Sequence, residues 1–212
     1  MKKTLLLLSA TVILWGCNNT QESSSTGTEQ TTTNDKESII IDETIKKSIV
    51  EIGQVLVSIP QKDGDPRFQK TVVLITKVTD ESIVGLILNK KTGKNLSDYM
   101  ENIPKIGSEV YYGGPSSDDG LFFIQATADT SSSCSKVLEN VYFMGDFQNL
   151  MGRLIEKETA TTEARFYVGV SVWGIDQLEK EVNEWGSWKI SNIDPIDVLN
   201  REEIDLWSKL YN

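Results

Sequence analysis

Residues 165–188 constrain the fold most, because the period of their apolar residues changes once. The run RFYVGVSV, residues 165–172, is rich in β-branched and aromatic side chains and suits a buried strand. Gly174 breaks it. Beyond the glycine, Ile175, Leu178, Val182 and Trp185 fall on one helical face. Glu179, Lys180, Glu181 and Glu184 fall on the other. Gly186 is a natural stop, since glycine enters the left-handed region without a Cβ clash. A buried strand that turns directly into an amphipathic helix requires a sheet with helices laid on it. Trp173 stands at the joint.

The rest of the chain reads in the same way. Strands are expected at residues 54–59, 71–78, 82–89, 109–112, 120–126, 141–144 and 188–191. The clearest helix spans 146–158, where Phe147, Leu150, Met151, Leu154 and Ile155 share a face and Asp146 caps it. A short helix capped by Asn95 is expected over 95–102. A closing helix over 200–211 has Asn200 and Glu203 as a capping-box pair. Residues 38–50 read as a short leading helix. Strands and helices alternate without a sustained βαβ repeat, so the fold class is α+β, a curved mixed sheet with flanking helices, in one domain from 38 to 212.

The first 37 residues are of a different kind. Lys2 and Lys3 precede an apolar run, residues 5–15, that is too short to span a bilayer as a helix and fits a secretory signal. It ends Leu14-Trp15-Gly16-Cys17, which resembles a bacterial lipobox. The Cys17 thiol would take the lipid, and residues 1–16 would be the signal peptide. Residues 18–37 contain no Leu, Ile, Val or aromatic residue and read as a disordered tether. The expected location is the bacterial cell envelope, with a lipid anchor at Cys17 holding the protein to the membrane.

Charge and composition narrow the chemistry. The 21 basic and 31 acidic residues give a net charge of −10, with no basic cluster, which argues against nucleic acid as a partner. The chain has no histidine, so Ser-His-Asp and Cys-His catalysis within one chain are excluded. Cys134 has only Lys136 nearby to activate it, and it has no partner for a disulfide if Cys17 is lipidated. Asp63 and Asp65, like Asp118 and Asp119, lack the ligand count of a calcium loop and read as solvated turns. Gly113-Gly114-Pro115 is either a structural turn or a backbone cradle for an anion. Gln177 and Glu181 are four apart and share a helix face. With Trp173 and Glu179 they form either a site for a peptide or small polar ligand, or a core tryptophan beside a solvated face.

The segment from Gly169 to Trp188 also resembles the C-terminal signature of the YqgE/AlgH family, approximately G-Y-x-G-W-G-x-G-Q-L-E-x-E followed by W. Gly169, Trp173, Gly174, Gln177, Leu178, Glu179, Glu181 and Trp188 match. Val170, Val172 and Asp176 depart from it, two of them in place of glycines. The resemblance continues in G-Q-x-L-V from Gly53, D-P-x-F from Asp65, V-V-L from Val72, G-L-x-x-N from Gly85 and V-Y-x-G-G-P from Val110. Lys90-Lys91 replaces the usual Arg-Pro. The likeness covers about residues 53–207 and implies a curled, mainly antiparallel, partly barrel-like sheet. It implies no catalytic signature and no cofactor. Some family members carry a transcription-regulator label, which an acidic, tethered copy does not fit. The expected function is a non-catalytic binding or interaction module on the envelope, with an envelope protein or small ligand as partner. The alternatives are a histidine-independent hydrolase using carboxylates and an anion- or nucleotide-binding protein.

Overall fold

The computed structural model describes residues 48–101, 109–156, 163–200 and 205–212. The expected signal peptide, Cys17, the expected tether and most of the expected leading helix lie outside the described residues. The last three residues of that helix, 48–50, are not helical. There the Val50 N–H donates to the Ser48 side chain, a local bond that competes with a helical one.

Ten strands are described: β1 (Val55–Ser58), β2 (Val72–Val78), β3 (Ser82–Ile87), β4 (Lys91–Asn95), β5 (Glu109–Tyr112), β6 (Ser116–Gln125), β7 (Ser135–Leu138), β8 (Val141–Phe143), β9 (Ala164–Gly174) and β10 (Trp188–Ser191). The α-helices among the described residues are α1 (Phe147–Glu156), α2 (Ile175–Asn183), α3 (Pro195–Leu199) and α4 (Leu206–Tyr211). The sheet runs β10-β1-β2-β3-β9-β6-β8-β7, with β5 between β9 and β4. Every pairing is antiparallel except that of β5 with β9. The fold is α+β with a large, mainly antiparallel sheet, as expected.

Strand β9 is the spine. One edge pairs with β6. The other is shared end to end: Phe166 to Val168 pair with β5, and Ser171 to Gly174 with β3. Gly113 lies where the two neighbours meet. Its N–H donates to the Val168 carbonyl at 2.8 Å, and its own carbonyl accepts the Ile87 N–H at 3.0 Å. The backbones approach so closely that side chains are excluded. A Cβ on Gly113 would lie 2.1 Å from the Gly169 carbonyl oxygen, and one on Gly114 would lie 2.3 Å from the Ser171 nitrogen. Gly169 has φ +72° as well, so only glycine is relaxed there.

The sheet curls on itself. One core cluster unites Val55 and Val57 of β1 with Val137 of β7 and Val141 of β8, from opposite ends of the strand order. A Cβ on Gly53, just before β1, would lie 2.7 Å from the Val137 carbonyl oxygen. A second cluster packs α2 on β1 to β3, and a third packs α1 on β6 and β9. Arg165 of β9 is buried among them. Its guanidinium lies 3.9 Å from the Tyr111 ring centre and donates to the Leu88 and Val198 carbonyls, each at 2.7 Å. It thereby ties α3 to the end of β3.

Three local expectations are corrected. Of the helix expected over 95–102, the described residues 95–101 carry only a 3₁₀ turn, Leu96–Asp98, although Asn95 does cap it in a box with Asp98. The strand β4 before it escaped notice because KTGKN is polar and mostly exposed, as an edge strand should be. The closing helix begins at Leu206, capped by Asp205, whose carboxylate accepts the Ser208 N–H at 3.0 Å. Asn200 is extended instead, because Asp194 and Pro195 start the separate short helix α3; its proposed partner Glu203 lies outside the described residues.

Three substitutions test this packing. Gly114→Ala should cost about 3 kcal/mol or more in urea unfolding, because backbone on a neighbouring strand must move. Gly152→Ala, in open space within α1, should instead stabilise by about 0.5–1 kcal/mol. Arg165→Lys cannot fork to both carbonyls and should cost about 2 kcal/mol in the same experiment.

Candidate functional site

Where β9 runs into α2, three aromatic side chains and one carboxylate form a compact unit. Trp173 is the penultimate residue of β9, Gly174 ends the strand at the N-cap of α2, and α2 turns Gln177 and Glu181 to one side. Glu181 Oε2 accepts the Trp173 indole N–H at 3.1 Å and the Trp188 indole N–H at 2.7 Å. Its Oε1 accepts the Gln177 amide at 2.8 Å. The two indoles meet edge to face, with centres 5.8 Å apart. Phe68 packs against both, at 6.0 Å from Trp173 and 5.4 Å from Trp188.

The loop that supplies Phe68 is itself braced. Asp65 caps the 3₁₀ turn Pro66–Phe68 through the Arg67 N–H, and its carboxylate takes the Arg67 guanidinium bidentately, the shortest contact 2.6 Å. Hydrogen bonding from the Arg67 side chain holds the Asp65 carboxyl below its ordinary pKa. Lys90 donates to the Pro66 and Arg67 carbonyls, and burial pushes its ammonium below the usual lysine value.

Between this loop and α2 opens a cleft of about 740 Å³. Trp173, Trp188 and Phe68 line it, with Gln177 and Glu181 on one wall and Gln61, Asp63, Asp65 and Arg67 on another. The Gln61 amide crosses to the Gly186 carbonyl at 3.0 Å and joins the two walls. Trp185 stands on the rim, 59% exposed. Its expected place was the buried face of the helix. Instead α2 ends at Asn183 with a widened turn, in which the Trp185 N–H reaches the Lys180 carbonyl and the Ser187 N–H the Glu181 carbonyl. Gly186 then reverses the chain at φ +59° and leaves the indole outside.

The structure therefore brings Trp173, Gln177 and Glu181 together. Trp173 is also a core residue, only 3% exposed. Glu179 is half-buried and does not line the cleft. Gly113 and Gly114 are buried against β9, with the Gly113 amide already bonded, and only their neighbour Pro115 reaches the cleft. Asp118 and Asp119 are exposed on β6, away from it. Cys134 is a free, half-buried thiol 4.0 Å from the Gln125 amide nitrogen. Phe68 and Arg67 were not singled out from the sequence as site residues, although the D-P-R-F string that contains them was visible. No pattern linked Gln61 to Gly186, since 125 positions separate them.

Comparison with known proteins agrees with the fold. A UPF0301 protein of Cytophaga hutchinsonii is 32% identical over 160 residues, 74% of this chain and 86% of that relative. One from Bacteroides thetaiotaomicron is 30% identical over 163 residues, 74% of this chain and 79% of its own. The solution structure of the AlgH protein from Pseudomonas aeruginosa superposes with a TM-score of 0.58 at 22% identity, covering 70% of this chain and 80% of that one. A crystal structure from Corynebacterium diphtheriae gives 0.58 at 21%, covering 74% and 83%. At these identities the solved structures speak for the fold alone. The AlgH-like family model matches residues 55–212, from β1 to the final residue, and the chain belongs to that family.

Proposed function

We propose that this is a lipid-anchored envelope protein whose AlgH-like domain is a non-catalytic binding module, with the aromatic cleft as its binding site. The observation that carries the reading is that the cleft combines aromatic surface with polar groups while two of its three carboxylates are engaged. Asp65 is held ionised by Arg67, and Glu181 accepts an N–H on each oxygen. A carboxylate hydrolase needs two acidic groups in one cleft, one with a raised pKa. Asp65 moves in the opposite direction, and Asp119 and Glu179 lie outside the lining. An anion site at Gly113-Gly114 has the weaker support, because the Gly113 amide serves Val168. The attachment rests on the sequence: a charged start, a short apolar run and Leu14 to Cys17 in lipobox order.

Trp173 is unsuited to a test of binding, since its loss would damage the core. Gln177→Ala and Trp185→Ala touch exposed side chains and should leave the melting temperature within a few degrees. In a thermal-shift screen of small polar compounds and peptides, a hit should raise the melting temperature of the wild type and not of the double variant. Equal shifts in both proteins would remove the cleft from the reading. Separately, Cys17→Ala should move the protein from the membrane to the soluble fraction. Continued membrane association of that variant would refute the lipid anchor.

A further inference from the structure

We infer that the cleft takes a neutral saccharide, stacked on Trp185 and hydrogen-bonded to the side-chain amides of the walls. The inference rests on the cleft being the binding site and assigns its ligand class.

The charges come first. Three carboxylates and two cations line the cleft: Asp63, Asp65, Glu181, Arg67 and Lys70. Asp65 and Arg67 satisfy each other in a bidentate pair. Glu181 is enclosed by three N–H donors from Trp173, Trp188 and Gln177. The Lys70 ammonium lies over the Trp207 ring, 5.5 Å from its centre. An anion would need cations that are not engaged, and the lining offers none among the described residues; Asp63 is the one carboxylate left open.

What remains open besides Asp63 is uncharged. Gln177 donates its amide to Glu181 and Gln61 donates to Gly186, so the carbonyl end of each side chain stays available among the described residues. Hydroxyls both donate and accept, and they suit such amides and the Asp63 carboxylate. Trp185 offers an exposed indole on the rim, an apolar plate for the C–H face of a sugar ring. The volume of about 740 Å³ has room for a short oligosaccharide.

A peptide fits the same groups less well. Extended peptides need an open strand edge, and the Ile59 N–H beside the cleft is already bonded to the Ser187 carbonyl at 2.9 Å. A proline-rich peptide needs indole donors for its carbonyls, and Trp173 and Trp188 give theirs to Glu181.

The test is a titration of the full chain, followed by calorimetry, with maltotriose, cellotriose and chitotriose as neutral probes. Inorganic phosphate and a decaproline peptide serve as the competing classes. Saturable binding of a trisaccharide is expected, weakened roughly tenfold or more by Trp185→Ala and by Gln177→Ala and largely restored in Trp185→Phe. Circular dichroism of each variant establishes that it is folded. Failure of all three sugars to bind would overturn the inference. Phosphate or decaproline binding lost in the same folded variants would also overturn it, while leaving the cleft as the site. Saccharide binding unchanged in both variants would overturn the cleft itself.

Discussion

The close approach of Gly113 and Gly114 to the backbone of β9 at Gly169 organises the whole sheet. β9 can carry β5 and β3 on one edge only if the chain leaving β5 clears β9 within backbone contact distance, and Gly113 and Gly114 make that crossing. The Gly113 N–H and carbonyl stitch β9 to the end of β3, so both of its backbone groups are bonded at the junction. Any Cβ there would push β5 from β9 and part the parallel pair from the antiparallel one. The same crossing delivers Pro115 to the lining of the cleft, which Trp173 of β9 also lines. Packing in the core and shape at the site thus come from one constraint.

Glu181 plays the corresponding part at the surface. Two buried indoles each carry an N–H that must find an acceptor. One carboxylate serves both, and the third donor, from Gln177, orients it. An ionised acceptor makes these bonds stronger than neutral ones, which suits a residue that must hold Trp173, Trp188 and, through them, Phe68 in one arrangement. Glu181 thereby becomes a structural element of the cleft wall. Its place in the lining by itself would have invited a catalytic reading; the bonds it makes favour a binding one.

How much of this could be read from the sequence varies with the range of the interaction. The strand at 165–172, the turn at Gly174 and the helix from Ile175 were legible because their signals are local periodicities. Gln177 and Glu181 could be placed on one face for the same reason. Trp185 was misplaced because the helical period was extended past the residue where backbone bonding widens the last turn. The polar edge strand β4 carries no alternation to detect. Arg165 was legible only as the first residue of a strand. Its role depends on Leu88 and Val198, brought to it by the fold from 77 and 33 positions away. Gly113-Gly114-Pro115 was ambiguous, since a glycine that accommodates a neighbouring backbone and one that accommodates a ligand look alike in sequence.

The electrostatics of the cleft and of the whole chain point in the same direction. A net charge of −10 surrounds the domain with a potential that repels anions out to about 10 Å at moderate salt. Two of the three carboxylates in the cleft are engaged by N–H donors, which leaves Asp63 as the open one among the described residues. The Arg67 guanidinium neutralises Asp65, whereas the uncharged donors around Glu181 occupy its oxygens and leave its charge in place. The outer field therefore selects against anions, and the oxygens of Asp65 and Glu181 have little bonding capacity left for a ligand. What both leave unhindered is an uncharged ligand whose recognition depends on shape, ring stacking and paired hydrogen bonds.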